Sequence, residues 1–302
     1  MIHQFKGCRM MLSQKDLELM VALSQHKNFG KAASHCKLSQ PAFSLRLKKM
    51  EKITQAPLVM RGNSFKGFTR EGDLILNWAN KLLADSESMR QEIQALKNII
   101  DGRLVLGIVP TAMSFATKIS AKLRRKNPNL SIEIHSLTSD EILKKIEKCT
   151  LDAGVIPIKN SDDHFADFLY EEHYVLIVPR TLAKSGNSNI TWEDAARLPL
   201  CLLTNDRYIK QHIYDTFEQV KINPQVVVEA NDLSAVMAQV TTGNAATILP
   251  FSSVNYLTKV NSLLIFDLIE PVVVEKIGLV FNDQSALRPI ALKLKELTNN
   301  ML

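Results

Sequence analysis

Short polar and basic side chains suited to binding an anion are concentrated between Ser39 and Lys49. Gln40 and Ser44 carry hydrogen-bonding groups that match the edges of nucleic-acid bases. Arg46 and Lys49 carry positive charges that neutralise phosphates. If this segment is helical, these side chains lie within three turns of one another. The spacing therefore predicts contact with a polyanion.

A helix is expected to carry these residues. Ser39 can accept a hydrogen bond from the open N–H groups of its first turn, and Pro41 suits that turn because its missing N–H costs little there. Phe43, Leu47 and Met50 recur on another face at helical spacing, so they are expected to pack against preceding helices.

Two shorter helices are predicted upstream, over 12–23 and 31–36, with Ser13 and Asn28 as their N-caps. Two helices joined by a short turn, the second with polar groups at its N-terminal end, match the way a recognition helix enters the major groove of DNA. A basic amphipathic three-helix unit that binds another protein is the alternative.

The charge of the 302-residue chain is unevenly distributed. Residues 1–70 contain 13 Lys or Arg against 3 Asp or Glu, whereas the remainder contains 24 against 28. A basic head on a mildly acidic body is typical of a polyanion-binding module joined to an independent domain. The length favours two or three folding units.

Several blocks of the head occur in the order and spacing of a known DNA-binding motif. They are Asn28-Phe29-Gly30-Lys31-Ala32-Ala33, Leu38-Ser39-Gln40-Pro41-Ala42-Phe43-Ser44, Met50-Glu51, Pro57-Leu58-Val59-Met60-Arg61 and Phe68-Thr69-Arg70-Glu71-Gly72. Together they resemble the helix-turn-helix of LysR-type transcriptional regulators. The resemblance implies a winged helix-turn-helix over 1–68 that binds double-stranded DNA.

The resemblance also implies roles for individual residues. Gln40 and Ser39 would fix the end of the helix on phosphate, and Arg61 would lie on the wing. The residues expected to face the bases are Pro41, Ser44, Leu45 and Arg46. Because a leucine cannot donate a hydrogen bond, Leu45 is expected to contact thymine methyl groups.

A long helix is predicted over 69–101, with Thr69 as its cap. Its apolar residues recur at alternating spacings of four and three, which is typical of a coiled-coil seam. The seam consists of Ile75, Ala79, Leu82, Ser86, Met89, Ile93, Leu96 and Ile100. Packing of this stripe on its own domain is the alternative. We favour pairing with a second copy, which in the resembling family joins two heads into a homodimer or homotetramer.

Residues 102–302 show strands that alternate with helices. Strands are predicted at 103–109, 131–135, 153–156, 174–178, 200–203, 226–229 and 246–249, and helices at 115–126 and 140–148. This order favours an α/β architecture with mostly parallel sheets. Such sheets bind ligands beyond the carboxyl ends of their strands. The candidates there are Pro110, Thr111, Ala112, Ser139, Thr204, Asn205 and Pro250, and Thr247 within the last of these strands is a further candidate. They suit a small polar or anionic molecule, although helix capping explains the hydroxyl groups about equally well.

This body resembles the effector-binding domain of the same family, which has the two-lobed fold of periplasmic solute-binding proteins. The supporting blocks are Leu104-Val105-Leu106-Gly107, Asn127-Pro128-Asn129-Leu130, Leu151-Asp152-Ala153-Gly154 and Gly243-Asn244-Ala245-Ala246-Thr247-Ile248-Leu249-Pro250. The resemblance implies lobe I over 102–173 and 275–302, lobe II over 174–274, a small-molecule effector between them, and RNA polymerase as a further partner.

Other functions lack their motifs in this sequence. No phosphate-binding loop, zinc-protease motif or nucleophile elbow is present, so neither an enzyme nor a cofactor or metal site is expected. A redox sensor of this family would need a cysteine pair in the second lobe, where only Cys201 lies. No apolar stretch reaches the roughly 20 residues that span a bilayer, and no secretory signal is visible, so we expect a cytoplasmic location. A solute-sensing or scaffold protein is the runner-up.

Overall fold

The computed structural model describes residues 12–60, 62, 64–96, 102–158, 166–183, 188–204, 207–254, 262–282 and 289–299. The chain divides into two compact units, Met1–Ile93 and Gln94–Leu302. The first unit carries helices α1 (Gln14–His26), α2 (Phe29–His35), α3 (Gln40–Thr54) and most of α4 (Arg70–Ala95). The three predicted helices of the head are thus confirmed, and so is the long helix as far as Ala95, whereas residues 97–101 of that prediction lie outside the described residues.

The predicted N-caps form the expected hydrogen bonds. Asn28 Oδ1 accepts one from the Lys31 N–H at 2.9 Å, and Ser39 Oγ accepts one from the Ala42 N–H at 3.4 Å. At the start of α1, Ser13 and Asp16 form a reciprocal capping box. These side chains satisfy N–H groups that would otherwise lack partners at the helix ends.

The core of the head forms where α3 crosses the first two helices. Phe43, Leu47 and Met50 are buried, as their spacing predicted, among residues of α1 and α2. After α3 the chain returns in a short wing, in which Val59 bridges Phe68. Helix α4 begins at its predicted cap, where the Gly72 N–H donates to Thr69 Oγ1 at 3.0 Å.

The predicted seam of α4 is wrong at its beginning. Ile75 packs against the core of the head, and Ala79 is buried. The exposed apolar stripe begins instead with Leu74 and Trp78, which are 59% and 54% exposed. Periodicity alone did not show that the head itself covers the first part of the seam. The stripe then continues as predicted through Leu82, Met89, Ile93 and Leu96, and Ile100 lies outside the described residues.

The second unit is built on ten strands among its described residues. They are β1 (Gly102–Ile108), β2 (Leu130–Ser136), β3 (Ala153–Ile158), β4 (Ala166–Pro179), β5 (Asn189–Thr191), β6 (Leu200–Leu203), β7 (Val226–Ala230), β8 (Thr247–Pro250), β9 (Leu263–Ile269) and β10 (Val274–Val280). Eight of them form one sheet in the order β2-β1-β3-β10-β4-β9-β5, with β8 also paired to β4, and β6 pairs with β7.

Seven α-helices among the described residues accompany these strands. They are α5 (Met113–Lys126), α6 (Ser139–Glu147), α7 (Trp192–Ala196), α8 (Arg207–Gln219), α9 (Leu233–Thr241), α10 (Phe251–Val254) and α11 (Pro289–Asn299). One apolar core lies around β1, β3 and β10, and two more lie around β4, β6 and β8. We call the first region lobe I and the second lobe II.

Strand β4 runs through both lobes. It pairs with β10 as far as His173 and with β8 from Tyr174 onward. The pairs β3–β10, β4–β10, β4–β8 and β4–β9 are all antiparallel. The pairs β1–β2, β1–β3, β5–β9 and β6–β7 are parallel, so half of these eight pairs are parallel and the expectation of mostly parallel sheets is wrong. Strands β9, β10 and the first half of β4 were not predicted, and they form three of the four antiparallel pairs.

Candidate DNA-binding and effector sites

The face of α3 opposite its buried residues is exposed and carries most of the predicted DNA-binding group. Pro41 and Lys49 are exposed, and Leu45 near its centre is 70% exposed. Lys48 and Lys52 lie on the same face and are exposed too. An apolar side chain thus lies between a polar helix start and three lysines.

The N-terminal end of α3 presents the remaining polar candidates. Gln40 is exposed and Ser44 is half-buried beside it. Ser39 uses its hydroxyl oxygen to cap the helix, which leaves the hydroxyl hydrogen available for a phosphate oxygen. Arg61, expected on the wing, lies outside the described residues.

Arg46 points away from this exposed face. Its Nε donates to Asp16 Oδ1 at 2.6 Å, and its Nη2 donates to Ser13 Oγ at 3.0 Å. Burial by itself raises the pKa of Asp16, but hydrogen bonds from Arg46 and Ser13 lower it below the ordinary value of 3.8. The guanidinium therefore joins α3 to α1 within the head.

In lobe I the candidate effector residues follow two neighbouring parallel strands. Ile108 of β1 is in register with Ser136 of β2. Thr111 lies in a 3-10 turn after β1 with Pro110 and Ala112, and Ser139 begins α6 after β2. Thr111 and Ser139 are almost fully buried. The N-cap of α6 is Thr138, so capping does not account for the hydroxyl group of Ser139.

In lobe II the candidates differ in their surroundings. Thr204 donates from its hydroxyl to the carbonyl oxygen of Ala230 at 3.2 Å. Thr247 is fully buried within β8, and its hydroxyl has no hydrogen-bond partner among the described residues. Pro250 ends β8 and begins the approach to α10. Asn205 lies outside the described residues.

One hydrogen-bonded chain joins the two lobes beside Thr111. The Ser252 hydroxyl of α10 donates to the Thr111 carbonyl oxygen at 3.4 Å, and the Ser252 N–H donates to Glu172 Oε1 at 3.0 Å. Glu172 lies on β4 near the point where that strand changes partners. The structure therefore brings Thr111 close to the residues that follow Pro250.

Sequence reasoning missed the buried acidic groups of this region. Glu172 and Glu275 are 4% and 3% exposed and face each other across the β4–β10 pair. Burial raises the pKa of Glu172 above its ordinary value of 4.5, although hydrogen bonds from Ser252 oppose the shift. The hydroxyl group of Tyr174 donates to Glu275 Oε2 at 3.2 Å. The alternation of apolar and polar residues along a strand does not identify such buried carboxyl groups, because it does not show that two lobes cover them.

The possible metal ligands and the cysteines of the described residues lie as follows. The described residues contain no group of three or more His, Cys, Asp or Glu that could hold a metal ion. Cys201 is buried, and burial raises the pKa of its thiol. Cys36 and Cys149 are half-buried, and neither forms a disulfide with another described residue. No helix in the described part of the chain is both long and apolar enough to cross a membrane.

Comparison with solved structures shows the same architecture in known regulators. Full-length OxyR from Pseudomonas aeruginosa, in a variant form, superposes with a TM-score of 0.75 at 22% identity, over 96% of this chain and 95% of that one. CbnR complexed with its target DNA superposes with a TM-score of 0.71 at 17% identity, over 96% and 100%.

Sequence comparisons agree. The DNA-binding transcriptional dual regulator OxyR of Escherichia coli K12 is 23% identical over 276 residues, covering 91% of this chain and 90% of that protein. The regulator AlsR of Bacillus subtilis is 25% identical over 244 residues, covering 79% and 80%. The family of bacterial regulatory helix-turn-helix proteins of the lysR type matches residues 14–73, and the LysR substrate binding domain matches residues 98–301. With a helix-turn-helix head and a two-lobed body that both match, this chain belongs to the LysR family of DNA-binding transcriptional regulators.

Proposed function

We propose that this regulator binds double-stranded DNA through the exposed face of α3, acts as a homo-oligomer joined by α4, and responds to a small molecule bound between the lobes of its body. The observation that carries the DNA-binding part is the exposed face itself. It presents Pro41, Leu45 and three lysines away from the core of the head. Cytoplasmic location and contact with RNA polymerase belong to the same proposal.

In the proposed complex, the two ends of α3 contact different phosphates of the DNA. Ser39 and Gln40 hold the N-terminal end on phosphate, and Lys48, Lys49 and Lys52 neutralise phosphates further along. Each phosphate neutralised releases counterions, so affinity falls steeply with salt. A salt titration of binding by fluorescence anisotropy tests this. If the protein does not retain DNA even at low salt, the head binds another protein and the proposal is wrong.

Leu45 supplies apolar readout in the major groove. The C5 methyl group of thymine is the apolar feature of that groove. We expect the full-length protein to bind a duplex selected from a random pool more weakly when single thymines are replaced by uracil, which lacks the methyl group. The Leu45→Ala variant should not distinguish the two bases. If uracil weakened DNA binding equally in the wild type and in Leu45→Ala, Leu45 would not be the residue that contacts the thymine methyl group.

The effector is expected to bind near Thr111 and Ser139, at the carboxyl ends of β1 and β2. The chain from Thr111 through Ser252 to Glu172 links this place to both lobes. An effector that binds one arrangement of the lobes better than another shifts the population toward it and so changes DNA binding. The polar groups in place include a carboxyl group, so the effector need not be an anion.

Thr111→Val tests this assignment, because it removes the hydroxyl group and keeps the shape. We expect it to weaken the response to an effector found by a thermal-shift screen of metabolites, while DNA binding is retained. Thr117→Val is the matched control, since Thr117 is exposed on α5 and its hydroxyl group donates to the Ser114 carbonyl oxygen of the same helix. Loss of DNA binding in Thr111→Val would show that this residue is structural instead.

Peroxide sensing by a disulfide is not proposed. Several relatives carry the name hydrogen peroxide-inducible genes activator. In this chain Cys201 is buried with a raised thiol pKa, and a thiolate is the form that reacts with oxidants. Wild type and Cys201→Ala are therefore expected to show the same DNA affinity after treatment with hydrogen peroxide.

A further inference from the structure

The side chain of Arg46 lies on the flank of α3 next to α1. Residues 43, 47 and 50 mark the buried side of α3, and residues 41, 45, 48, 49 and 52 mark its exposed side. At 100° per residue, Arg46 comes between the two, about 60° from the centre of the buried side. Its guanidinium therefore extends along the head and away from Leu45.

The partners of Arg46 form a closed network. Asp16 Oδ1 accepts from Arg46 Nε at 2.6 Å, and Asp16 Oδ2 accepts from the backbone N–H and the hydroxyl group of Ser13 at 2.8 and 2.7 Å. The oxygen of that hydroxyl group accepts from Arg46 Nη2 at 3.0 Å. Two donors of one planar guanidinium thus bind two groups of the first turn of α1, which fixes its orientation.

Because the network is largely buried, breaking it costs free energy. The side chain of Asp16 is 11% exposed and that of Arg46 is 30% exposed. If Arg46 turned toward a phosphate, the Asp16 carboxylate would stay buried without its cation, and removing one partner of a buried pair is strongly destabilising. The positive charge of Arg46 is also already matched within the head by the Asp16 carboxylate.

We propose that Arg46 is a positioning residue, held by Asp16 and Ser13, which fixes the rotation of α3 and so aims Leu45 and the lysines at DNA. The inference rests on the proposed use of α3 in DNA binding. It assigns Arg46 a different role from the base contact that the family resemblance implied. Arg46 acts on affinity through the geometry of the helix and adds no phosphate contact of its own.

A double-mutant cycle combined with salt titration tests the proposal on the full-length protein. The variants are Arg46→Gln, Asp16→Asn and the double variant, with Lys49→Gln as the phosphate-contact control. The ligand is a fluorescein-labelled duplex selected from a random pool by the wild-type protein. We expect each network variant to lose about tenfold in affinity, with the double variant no weaker than the worse single variant, because both break one unit.

The salt dependence separates positioning from contact. The slope of log affinity against log salt should stay at the wild-type value in Arg46→Gln and fall by about one in Lys49→Gln. A fall of about one in Arg46→Gln, with wild-type affinity in Asp16→Asn, would overturn the proposal. A wild-type protein that does not retain DNA at all would instead refute the proposed function.

The Arg46→Lys variant provides a second test of the proposal if Arg46→Gln does not fold. Lysine retains a cation for a phosphate, but its single ammonium group cannot hold Asp16 and Ser13 in the planar geometry of arginine. Positioning therefore predicts weaker DNA binding for Arg46→Lys at unchanged helical content by circular dichroism. Wild-type affinity in this variant would show that charge alone suffices and would refute the positioning role.

Discussion

Trp78 is expected to contribute strongly to the pairing of two copies. It is 54% exposed on α4, where Lys81 Nζ lies 5.6 Å from the centre of its ring. A tryptophan side chain buries up to about 250 Å². Roughly half of that area therefore remains to be buried by a second copy. At about 25 cal/mol per Å², full burial would contribute about 3 kcal/mol for each copy.

Trp78→Ala should accordingly raise the dissociation constant of the dimer by roughly two orders of magnitude for each copy, because about 1.4 kcal/mol corresponds to a tenfold change in that constant. The dissociation constant is measured by sedimentation equilibrium or mass photometry over a dilution series. Asn77→Ala is the matched control, since Asn77 is an exposed neighbour that lies off the apolar stripe. If both variants have the dissociation constant of the wild type, α4 does not form the dimer contact and the argument from buried area is refuted.

Three further predictions concern stability. Phe43→Ala removes a fully buried ring from the head and should cost about 3–5 kcal/mol, seen as loss of cooperative unfolding of the head and of DNA binding. Gly154→Ala places a Cβ against Ile142 and Ile146 and should lower the melting temperature of the body, at a cost of about 1–3 kcal/mol. Burial raises the pKa of Glu172, so its ionisation costs stability as the pH rises above the ordinary value of 4.5. The melting temperature of Glu172→Gln should therefore fall less with rising pH than that of the wild type.

Local chemistry made the head predictable from its sequence. Asn28 and Ser39 each stand at the start of a helix and cap it, as residues of their type do. Phe43, Leu47 and Met50 recur at helical spacing and are buried together. The start and the buried face of α3 therefore depend on residues close to it in the chain. The same holds for the short strands of the body that appear as runs of apolar residues between turns.

Long-range packing decided what the sequence could not show. The pattern of α4 contains two overlapping apolar stripes, and only the packed head reveals that it covers Ile75 and leaves Leu74 and Trp78 exposed. Arg46 is a similar case. Its charge favoured a role on DNA, but a partner 30 residues away, Asp16, occupies its guanidinium.

The buried carboxyl group of Glu172 extends this reasoning to the body. Along β4, Tyr170, Glu172 and Tyr174 share one face by alternation, which on an ordinary half-exposed strand would be the solvated face. Here β4 continues from lobe I into lobe II, and α10 covers that face, with Ser252 bonded to both Glu172 and Thr111. Above the ordinary pKa of a glutamate, ionisation of this buried carboxyl group costs stability, and the hydrogen bond from the Ser252 N–H offsets part of that cost. Glu172 thus holds α10 against β4 where that strand passes from lobe I to lobe II, one hydrogen-bonded residue from the expected effector loop.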